Sequence, residues 1–307
     1  MPIDQVTLNF NSESLLLLNI ILGFVMFGVA LELKVSDFRM VLQLPRAPVI
    51  GLIAQFLVLP AFTYLLTLII KPQPSIALGM ILVAACPGGN ISNFITHLAR
   101  GNTALSVSMT AISTVVAIFL TPLNITFWGS MHPEASKIVT SVSLSPLEML
   151  LNIFLLLGIP LILGMTLMHN WPAIARKLIK PMRYISIGVF GLFVIGALAA
   201  NWRYFLEYVG LVVFAVMLHN ALAIATGYFA GRLSRLRERD CRAVAVEVGI
   251  QNSGLGLILI FNFFNGLGGM AIVAAWWGVW HIIAGLTIAF FWSRRPPEKD
   301  HTYPVEV

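Results

Sequence analysis

Two polar interruptions in apolar sequence decide the fold of this chain: PGGNISN at residues 87–93 and EVGIQNSG at residues 247–254. Both combine glycines with amide and hydroxyl side chains, and the second adds Glu247, a carboxylate without a neighbouring Lys or Arg. A lone acid in lipid is costly, and such acids usually bind or relay an ion. Transporters break helices at mid-membrane in order to direct half-helix ends and bare carbonyls at ions. The pair therefore predicts two membrane helices that are each broken near the bilayer centre.

Composition places the chain among polytopic membrane proteins. Of its 307 residues, 58% are hydrophobic and 10% are charged, against roughly 25% charged in soluble domains. A helix crosses the hydrocarbon core with about 20 apolar residues. Nine apolar runs are present, at residues 14–33, 48–70, 75–99, 103–128, 144–169, 184–200, 211–232, 242–265 and 268–293. The sixth run is short, and the aromatic segment 201–208 is a candidate extension of it.

The distribution of Lys and Arg tests this count, because both concentrate in cytoplasmic loops. With the N-terminus outside, all of the 19 Lys and Arg residues except Lys71, Lys137 and Arg203 fall in cytoplasmic connections or in the C-terminal tail. Splitting either interrupted run into two crossings would invert every later loop and destroy this asymmetry. Each interrupted helix is therefore predicted to cross once. Loop topology also explains the net charge of +6, so nucleic-acid binding is not needed.

The third and eighth runs cross in opposite directions, so their breaks can meet. Each is followed by one final helix, as in an inverted-topology repeat whose first copy lacks its leading helix. A simple proline kink would explain Pro87 equally well on its own. The same chemistry recurs in the eighth run together with Glu247, and this recurrence favours a built site. The fold class predicted is an all-α membrane protein with nine helices, two of them discontinuous and crossed.

The fourth run adds Ser106 and Thr110, which are spaced i and i+4 and share one helix face. Taken alone, both hydroxyls can bond back to the carbonyl one turn earlier. Beside Ser92, Asn93 and Glu247 they complete an all-oxygen set with one negative charge, which suits a hard monovalent cation. Oxygen ligands point away from soft transition metals. A sodium-like ion is therefore predicted at this site.

Five segments now identify a family by resemblance. They are GLIAQF at residues 51–56, CPGGNISN at 86–93, ARGN at 99–102, EVGIQNSG at 247–254 and VWH at 279–281. In this order and spacing they resemble the bile acid:sodium symporter family, particularly bacterial homologues of the intestinal (apical) and hepatic bile acid transporters. The resemblance extends over nearly the whole chain, from residue 20 to residue 293.

The resemblance implies a nine-helix protein of two domains. The core domain would comprise residues 48–128 and 209–293, and the panel domain residues 14–33 and 144–200. Residues 294–307 would form a cytoplasmic tail.

The resemblance also implies two sodium sites and a substrate site between core and panel. The first sodium would be bound by Ser92, Asn93, Ser106, Thr110 and Glu247. The second would be bound by Gln55, Glu247, Val248, Ile250 and Gln251, with the apolar residues contributing main-chain oxygens. Residues Asn90, Asn252 and His281 would border the substrate. His219 and Asn220, in the seventh run, are interpreted as packing and hydrogen-bonding residues of the core.

The function expected is sodium-coupled import of an organic anion, a bile acid or a smaller carboxylate, by alternating access. The alternative is a proton-coupled or sodium-independent anion carrier of the same fold, with Glu247 as its relay. A hydrolase would need a nucleophile–base set or an H-E-x-x-H motif, and the sequence has neither, so no catalytic residue is predicted. The expected location is the bacterial inner membrane, with the N-terminus outside, the C-terminus in the cytoplasm and no obligate protein partner.

Overall fold

The computed structural model describes residues 3–7, 12–33, 43, 45–142, 145–200, 202–295 and 297. Within these ranges the chain is helical, and strand-like pairing is limited to isolated bridges. Continuous helices are α1 (Ser12–Ala30), α2 (Arg46–Ile70), α3 (Pro74–Ala85), α4 (Ile91–Leu98), α5 (Thr103–Met131) and α6 (Ser136–Val142). Helix α7 runs through Pro146–Ile153, a π-helical turn at Phe154–Gly158 and Ile159–Asn170. It is followed by α8 (Pro172–Ala200), α9 (Trp202–Leu233), α10 (Glu238–Gly249), α11 (Ser253–Phe263) and α12 (Gly268–Ser293).

The all-helical fold is confirmed, and several helices have the length and apolar character of membrane spans. Among the described residues these are α2, α5, α12, most of α7 and the Val212–Leu233 part of α9. Shorter apolar helices occur in α1, α3 and α11. The count of nine crossings and the inverted repeat stay predictions.

The two predicted helix breaks are present. Helix α3 ends at Ala85 and α4 begins at Ile91, whereas α10 ends at Gly249 and α11 begins at Ser253. From Ser75 to Ala85 every residue of α3 is buried, and α11 is buried from its start through Phe261. Helices that are apolar all round lie inside a protein. Residues 86–88 of the first break and 250–251 of the second are buried as well, which suits irregular backbone because its free polar groups would be costly in lipid.

The helices extend beyond the apolar runs in two places. Helix α8 begins at Pro172 and runs 29 residues, so it starts well before the sixth apolar run at 184–200. The aromatic segment after residue 201 belongs to α9 and does not extend that run. Hydropathy finds only the apolar part of a helix, and the first turns of α8 contain the basic residues Arg176, Lys177 and Lys180. Helix α6 lies between the fourth and fifth apolar runs.

Helices α9 and α10 approach each other at backbone distance because two glycines face the contact. A Cβ added at Gly227 would lie 2.6 Å from the carbonyl oxygen of Val244. One added at Gly231 would lie 3.0 Å from Sγ of Cys241. Small residues four apart allow this close packing of membrane helices. Helix α9 therefore lies along α10 as a support for the second break.

Arg242 joins three helix ends at the start of α10. Its Nη1 donates to the carbonyls of Ala99 (2.9 Å) and Trp292 (3.0 Å), and its Nη2 donates to Arg295 O (2.7 Å). Its Nε donates to Oε1 of Glu238 at 2.9 Å. The side chain is only 4% exposed, although the distribution of basic residues predicts that Arg242 lies in a cytoplasmic connection. A cation at the C-terminal ends of α4 and α12 also complements their helix dipoles.

The first residues of the chain dock on the opposite side of the core. Oδ1 of Asp4 accepts a hydrogen bond from the backbone N–H of Ser75 at 2.8 Å and so caps α3. The carbonyl of Val6 accepts from Gly268 N at 2.7 Å. Ile3 and Val6 are buried. This segment therefore ties together the beginnings of α3 and α12.

The Arg242 contacts predict a stability effect. Replacing Arg242→Met leaves carbonyls of two helix ends without their buried donor, at about 1–3 kcal/mol for each unsatisfied group. We expect the melting temperature of the detergent-purified protein to fall by roughly 5 °C or more. The control Arg239→Met changes an exposed arginine of the same helix and should leave the melting temperature unchanged. Equal effects of the two variants would contradict a structural role for Arg242.

Candidate functional site

The two helix breaks pair with each other through their backbones. The N–H of Gly89 donates to the carbonyl of Ile250 at 2.7 Å, and the N–H of Asn252 donates to the carbonyl of Pro87 at 2.8 Å. Gly88 and Gln251 thereby form an antiparallel bridge. The breaks meet as the antiparallel directions of the two runs predict.

Glycines permit this contact. A Cβ at Gly88 would overlap Oε1 of Glu247, and a Cβ at Gly89 would lie 3.1 Å from the carbonyl oxygen of Gln251. Moving the Glu247 side chain would disturb its contacts with Ser92 and Thr110, and moving the Gln251 carbonyl would disturb the pairing of the breaks. The two glycines therefore serve close approach of the chain segments.

At the first break, neighbouring helices supply donors for the carbonyls that the helix leaves free. Pro87 has no N–H and so cannot continue the helical hydrogen-bond ladder. The hydroxyl of Thr121 on α5 donates to Ala85 O at 2.7 Å. Nε2 of Gln55 on α2 donates to Cys86 O at 2.9 Å. Side chains of neighbouring helices thus replace the hydrogen bonds that the break removes, as buried backbone groups require.

The second break is repaired in the same way. Nδ2 of Asn220 on α9 donates to the carbonyl of Gly249 at 2.7 Å. Nε2 of Gln251 donates to the carbonyl of Val248 at 2.8 Å. Side-chain amides therefore donate to the carbonyls that the end of α10 leaves free, and they hold this end of the helix in place.

Glu247 lies at this crossing within a group of hydroxyl donors. Its Oε2 accepts hydrogen bonds from Ser92 (2.6 Å) and Ser106 (3.2 Å), and its Oε1 accepts from Thr110 (2.8 Å). The residue is 1% exposed, and no Lys or Arg pairs with its carboxylate among the described side chains. Arg242, on the same helix, is engaged with Glu238. Hydroxyl dipoles surround the carboxylate, and within the described part of the chain no Lys or Arg neutralises its charge.

All five residues predicted for the first sodium site are brought together. Asn93 joins the group because its Oδ1 lies 3.3 Å from the hydroxyl of Thr110. Thr96, which sequence reasoning missed, donates to Ser106 Oγ at 3.3 Å. Its position four residues after Ser92 places both on one face of α4, and that spacing was the available signal. The gathered ligands are all oxygen, the chemistry of alkali and alkaline-earth cations.

The residues predicted for the second site lie on the other side of the same crossing. Nε2 of Gln55 donates to Oε1 of Gln251 at 2.7 Å, while Oε1 of Gln55 is buried without a hydrogen-bond donor among the described residues. The carbonyls of Val248 and Ile250 each accept one hydrogen bond, and a carbonyl has a second lone pair. The buried Oε1 of Gln55, which has no donor among the described residues, and the carbonyls of Val248 and Ile250 are all oxygen ligands of the kind that a cation requires.

The three residues predicted to border the substrate differ in burial and in hydrogen bonding. Asn90 is exposed at the start of α4. Asn252 caps α11, since its Oδ1 accepts from Leu255 N at 3.0 Å, and its Nδ2 lies 3.9 Å from Sδ of Met26 on α1. His281 is buried on α12, and its Nδ1 has no partner among the described residues. No hydrogen bond within that described part joins the three to one another, so a shared substrate contact stays a prediction.

Comparison with known proteins agrees with the resemblance that the motifs indicate. The profile of the sodium bile acid symporter family matches residues 19–208. A Bacillus subtilis protein named the uncharacterized sodium-dependent transporter YocS is 34% identical over 285 residues, or 92% of this chain and 85% of the relative. The probable sodium/metabolite cotransporter BASS1, chloroplastic, of Arabidopsis thaliana is 32% identical over 91% of this chain and 67% of its own. The ileal sodium/bile acid cotransporter of Cricetulus griseus is 27% identical over 78% and 67%.

Paired helix breaks around a buried acid, in an all-helical chain with several apolar spans, define a membrane transporter of the secondary type. The chain belongs to the sodium bile acid symporter family. Its named relatives are sodium-dependent transporters and cotransporters, and the prediction that it is a transporter and no enzyme is confirmed.

The close approach at the crossing predicts that Gly88 cannot be replaced. A Cβ in Gly88→Ala overlaps Glu247, and overpacking of this kind costs about 1–3 kcal/mol. We expect sodium-dependent substrate uptake into cells to fall about tenfold at fixed sodium concentration, since 1.4 kcal/mol is a factor of ten. The control is Gly256→Ala, whose Cβ would lie 3.7 Å from Sγ of Cys86, an ordinary contact. Uptake within twofold of the parent for both variants would contradict the assignment of the crossing as the site.

Proposed function

We propose that the chain is a symporter that couples two sodium ions to the import of a small organic anion by alternating access. The observation that carries the proposal is the carboxylate of Glu247, which is buried among hydroxyl groups and has no positive partner among the residues that the structure describes. An ionised acid in such a place costs several kcal/mol unless a cation joins it. Mobile sodium ions would supply the missing charge.

The first sodium would lie between α4, α5 and α10. Ser92, Ser106 and Thr110 now donate to Glu247, and each hydroxyl oxygen also has lone pairs to present to a cation. Asn93 adds an amide oxygen. Helix α4 follows one break and α10 precedes the other, so an ion there would tie the two breaks together.

The second sodium would lie between α2 and the second break. Gln55 would contribute its orphaned Oε1, Gln251 its side-chain oxygen, and Val248 and Ile250 their carbonyls. Glu247 would be shared by both ions. Its single negative charge then balances one of two positive charges, and an anionic substrate balances the other.

The substrate would bind where α4 and α11 begin, beside the crossing. The start of each helix carries the positive end of the helix dipole, which favours an anion such as a carboxylate, although Ser92, Ser253 and Leu255 already donate their N–H groups to local acceptors. Asn90, Asn252 and His281 would border this place. The names of the relatives cover both bile acid and metabolite cotransport, and a small carboxylate is the common chemistry that the site supports.

Alternating access would move two groups of helices against each other. Helix α1 packs against α7 and α8, and this group is the proposed panel. It meets α11 of the proposed core, where Asn262 Nδ2 donates to Asn19 Oδ1 at 3.0 Å. The same interface is also apolar, because Leu18, Leu22 and Met26 of α1 belong to the buried cluster that the core helices form.

The orientation proposed is N-terminus outside and C-terminus in the cytoplasm of a bacterial inner membrane. Basic residues from several connections gather at one end of the molecule, which supports this orientation. Arg46 donates to Ser234 O at 2.7 Å, and Asn102 N donates to Arg239 O at 2.9 Å. The membrane potential, worth about 2.3 kcal/mol per charge per 100 mV, would then drive sodium and substrate inward.

Sodium-specific stabilisation of the purified protein tests this function. We expect cholate, pantoate or pyruvate, which are all carboxylates, to raise the melting temperature in sodium chloride but not in potassium chloride. Glu247→Gln removes the charge that attracts both ions and should abolish the sodium effect, because the ligand set then lacks its anion. The exposed Glu148→Gln, at the start of α7, is the control and should keep it. Equal stabilisation in both salts would contradict sodium coupling, and uptake driven by a proton gradient alone would favour the proton carrier.

A further inference from the structure

Asn220 is a buried polar residue on the face of α9 that packs tightly against α10. That face continues through Ile224, Gly227 and Gly231, at the i, i+4, i+7 and i+11 positions of a helix. A Cβ at Gly249 would overlap Cγ1 of Ile224, so α9 also touches the last residue of α10. Helix α9 thus carries Asn220 to the second break with little freedom to shift.

The amide of Asn220 fixes one particular peptide group. Its Nδ2 donates to the carbonyl of Gly249 at 2.7 Å. The N–H of the same peptide group, from Ile250, donates to Val246 O at 2.9 Å. A peptide unit is planar, so holding its oxygen and its N–H fixes the orientation of the whole unit.

This peptide group lies between the two carbonyls assigned to the second sodium. The carbonyl of Val248 belongs to the preceding peptide unit and the carbonyl of Ile250 to the following one. Both units are joined to the fixed unit through a single Cα each. Only two backbone torsion angles separate each of these carbonyls from the fixed peptide unit between Gly249 and Ile250.

The other end of the Asn220 amide is unsatisfied. Only the NH₂ group can donate to Gly249 O, so the orientation of the amide is set by that bond. Its Oδ1 is then buried without a donor among the described residues, and the residue itself is fully buried. Asn220 therefore presents an oxygen beside the break in addition to holding its backbone.

We propose that Asn220 is a positioning residue for the second sodium site: it holds the peptide group after Gly249 so that the carbonyls of Val248 and Ile250 face one ion. This inference rests on the proposed sodium coupling. It assigns to α9 a direct role in ion affinity and leaves the first site to the hydroxyls of α4 and α5. Loss of Asn220 should weaken one sodium and not the other.

The test is the sodium dependence of the purified protein. Asn220→Leu keeps the size of the side chain and removes the donor, and Asn220→Ser is a smaller polar variant whose hydroxyl is too short to reach Gly249. For either variant that purifies as a folded protein, we expect the sodium concentration at half-maximal thermal stabilisation to rise about fivefold, the effect of one lost hydrogen bond. The Hill coefficient for sodium should fall towards one, a change that a general loss of stability does not produce.

The control is Asn152→Leu on α7. Asn152 is also an amide that donates to a backbone carbonyl, Glu148 O at 2.9 Å, and it is not part of either helix break. The Asn152→Leu variant should leave the sodium midpoint and the Hill coefficient unchanged. If both Asn220 variants keep the wild-type sodium midpoint and a Hill coefficient above one, the proposed role of Asn220 is wrong, whereas the proposed function is unaffected. Absence of sodium dependence in the wild type would instead overturn the proposed function.

Discussion

The buried carboxylate of Glu247 is the constraint on which the rest of the structure depends. It meets hydroxyl groups from α4 and α5 and no fixed cation among the described side chains. Hydroxyls from a neighbouring helix reach it because the chain opens at two places, and glycine at position 88 leaves room for its oxygens. A fixed Lys or Arg would satisfy the charge permanently. Its absence from the described surroundings leaves the charge available to an ion that comes and goes.

Opening two helices inside a protein has a cost that the neighbouring helices offset. Each buried carbonyl left without a donor costs about 1–3 kcal/mol. Helices α2, α5 and α9 each provide one side chain for this purpose, namely Gln55, Thr121 and Asn220. Two of the three are amides that keep a free oxygen after donating. The groups that stabilise the breaks therefore also enrich the site in acceptors.

The sequence was sufficient for the all-helical class, both breaks and the gathering of the five first-site residues. These follow from local chemistry: Pro87 and its glycines interrupt a helix wherever they occur, and a lone acid in an apolar run needs oxygen neighbours. The course of α8 and the burial of Arg242 could not be obtained this way. Hydropathy does not register the basic turns at the start of α8. Arg242 is buried because α4 and α12 end beside it, and that depends on packing between segments far apart in sequence. The partners of Thr121 and Asn220 have the same origin.

The docked segment at residues 3–7 restrains helices that are far apart in sequence. Asp4 caps α3, and the carbonyl of Val6 accepts a hydrogen bond from Gly268 at the start of α12. At the other end of α12, Arg242 of α10 donates to the carbonyl of Trp292. Helix α12 is therefore held at both ends, and any movement that it makes must carry neighbouring core helices with it.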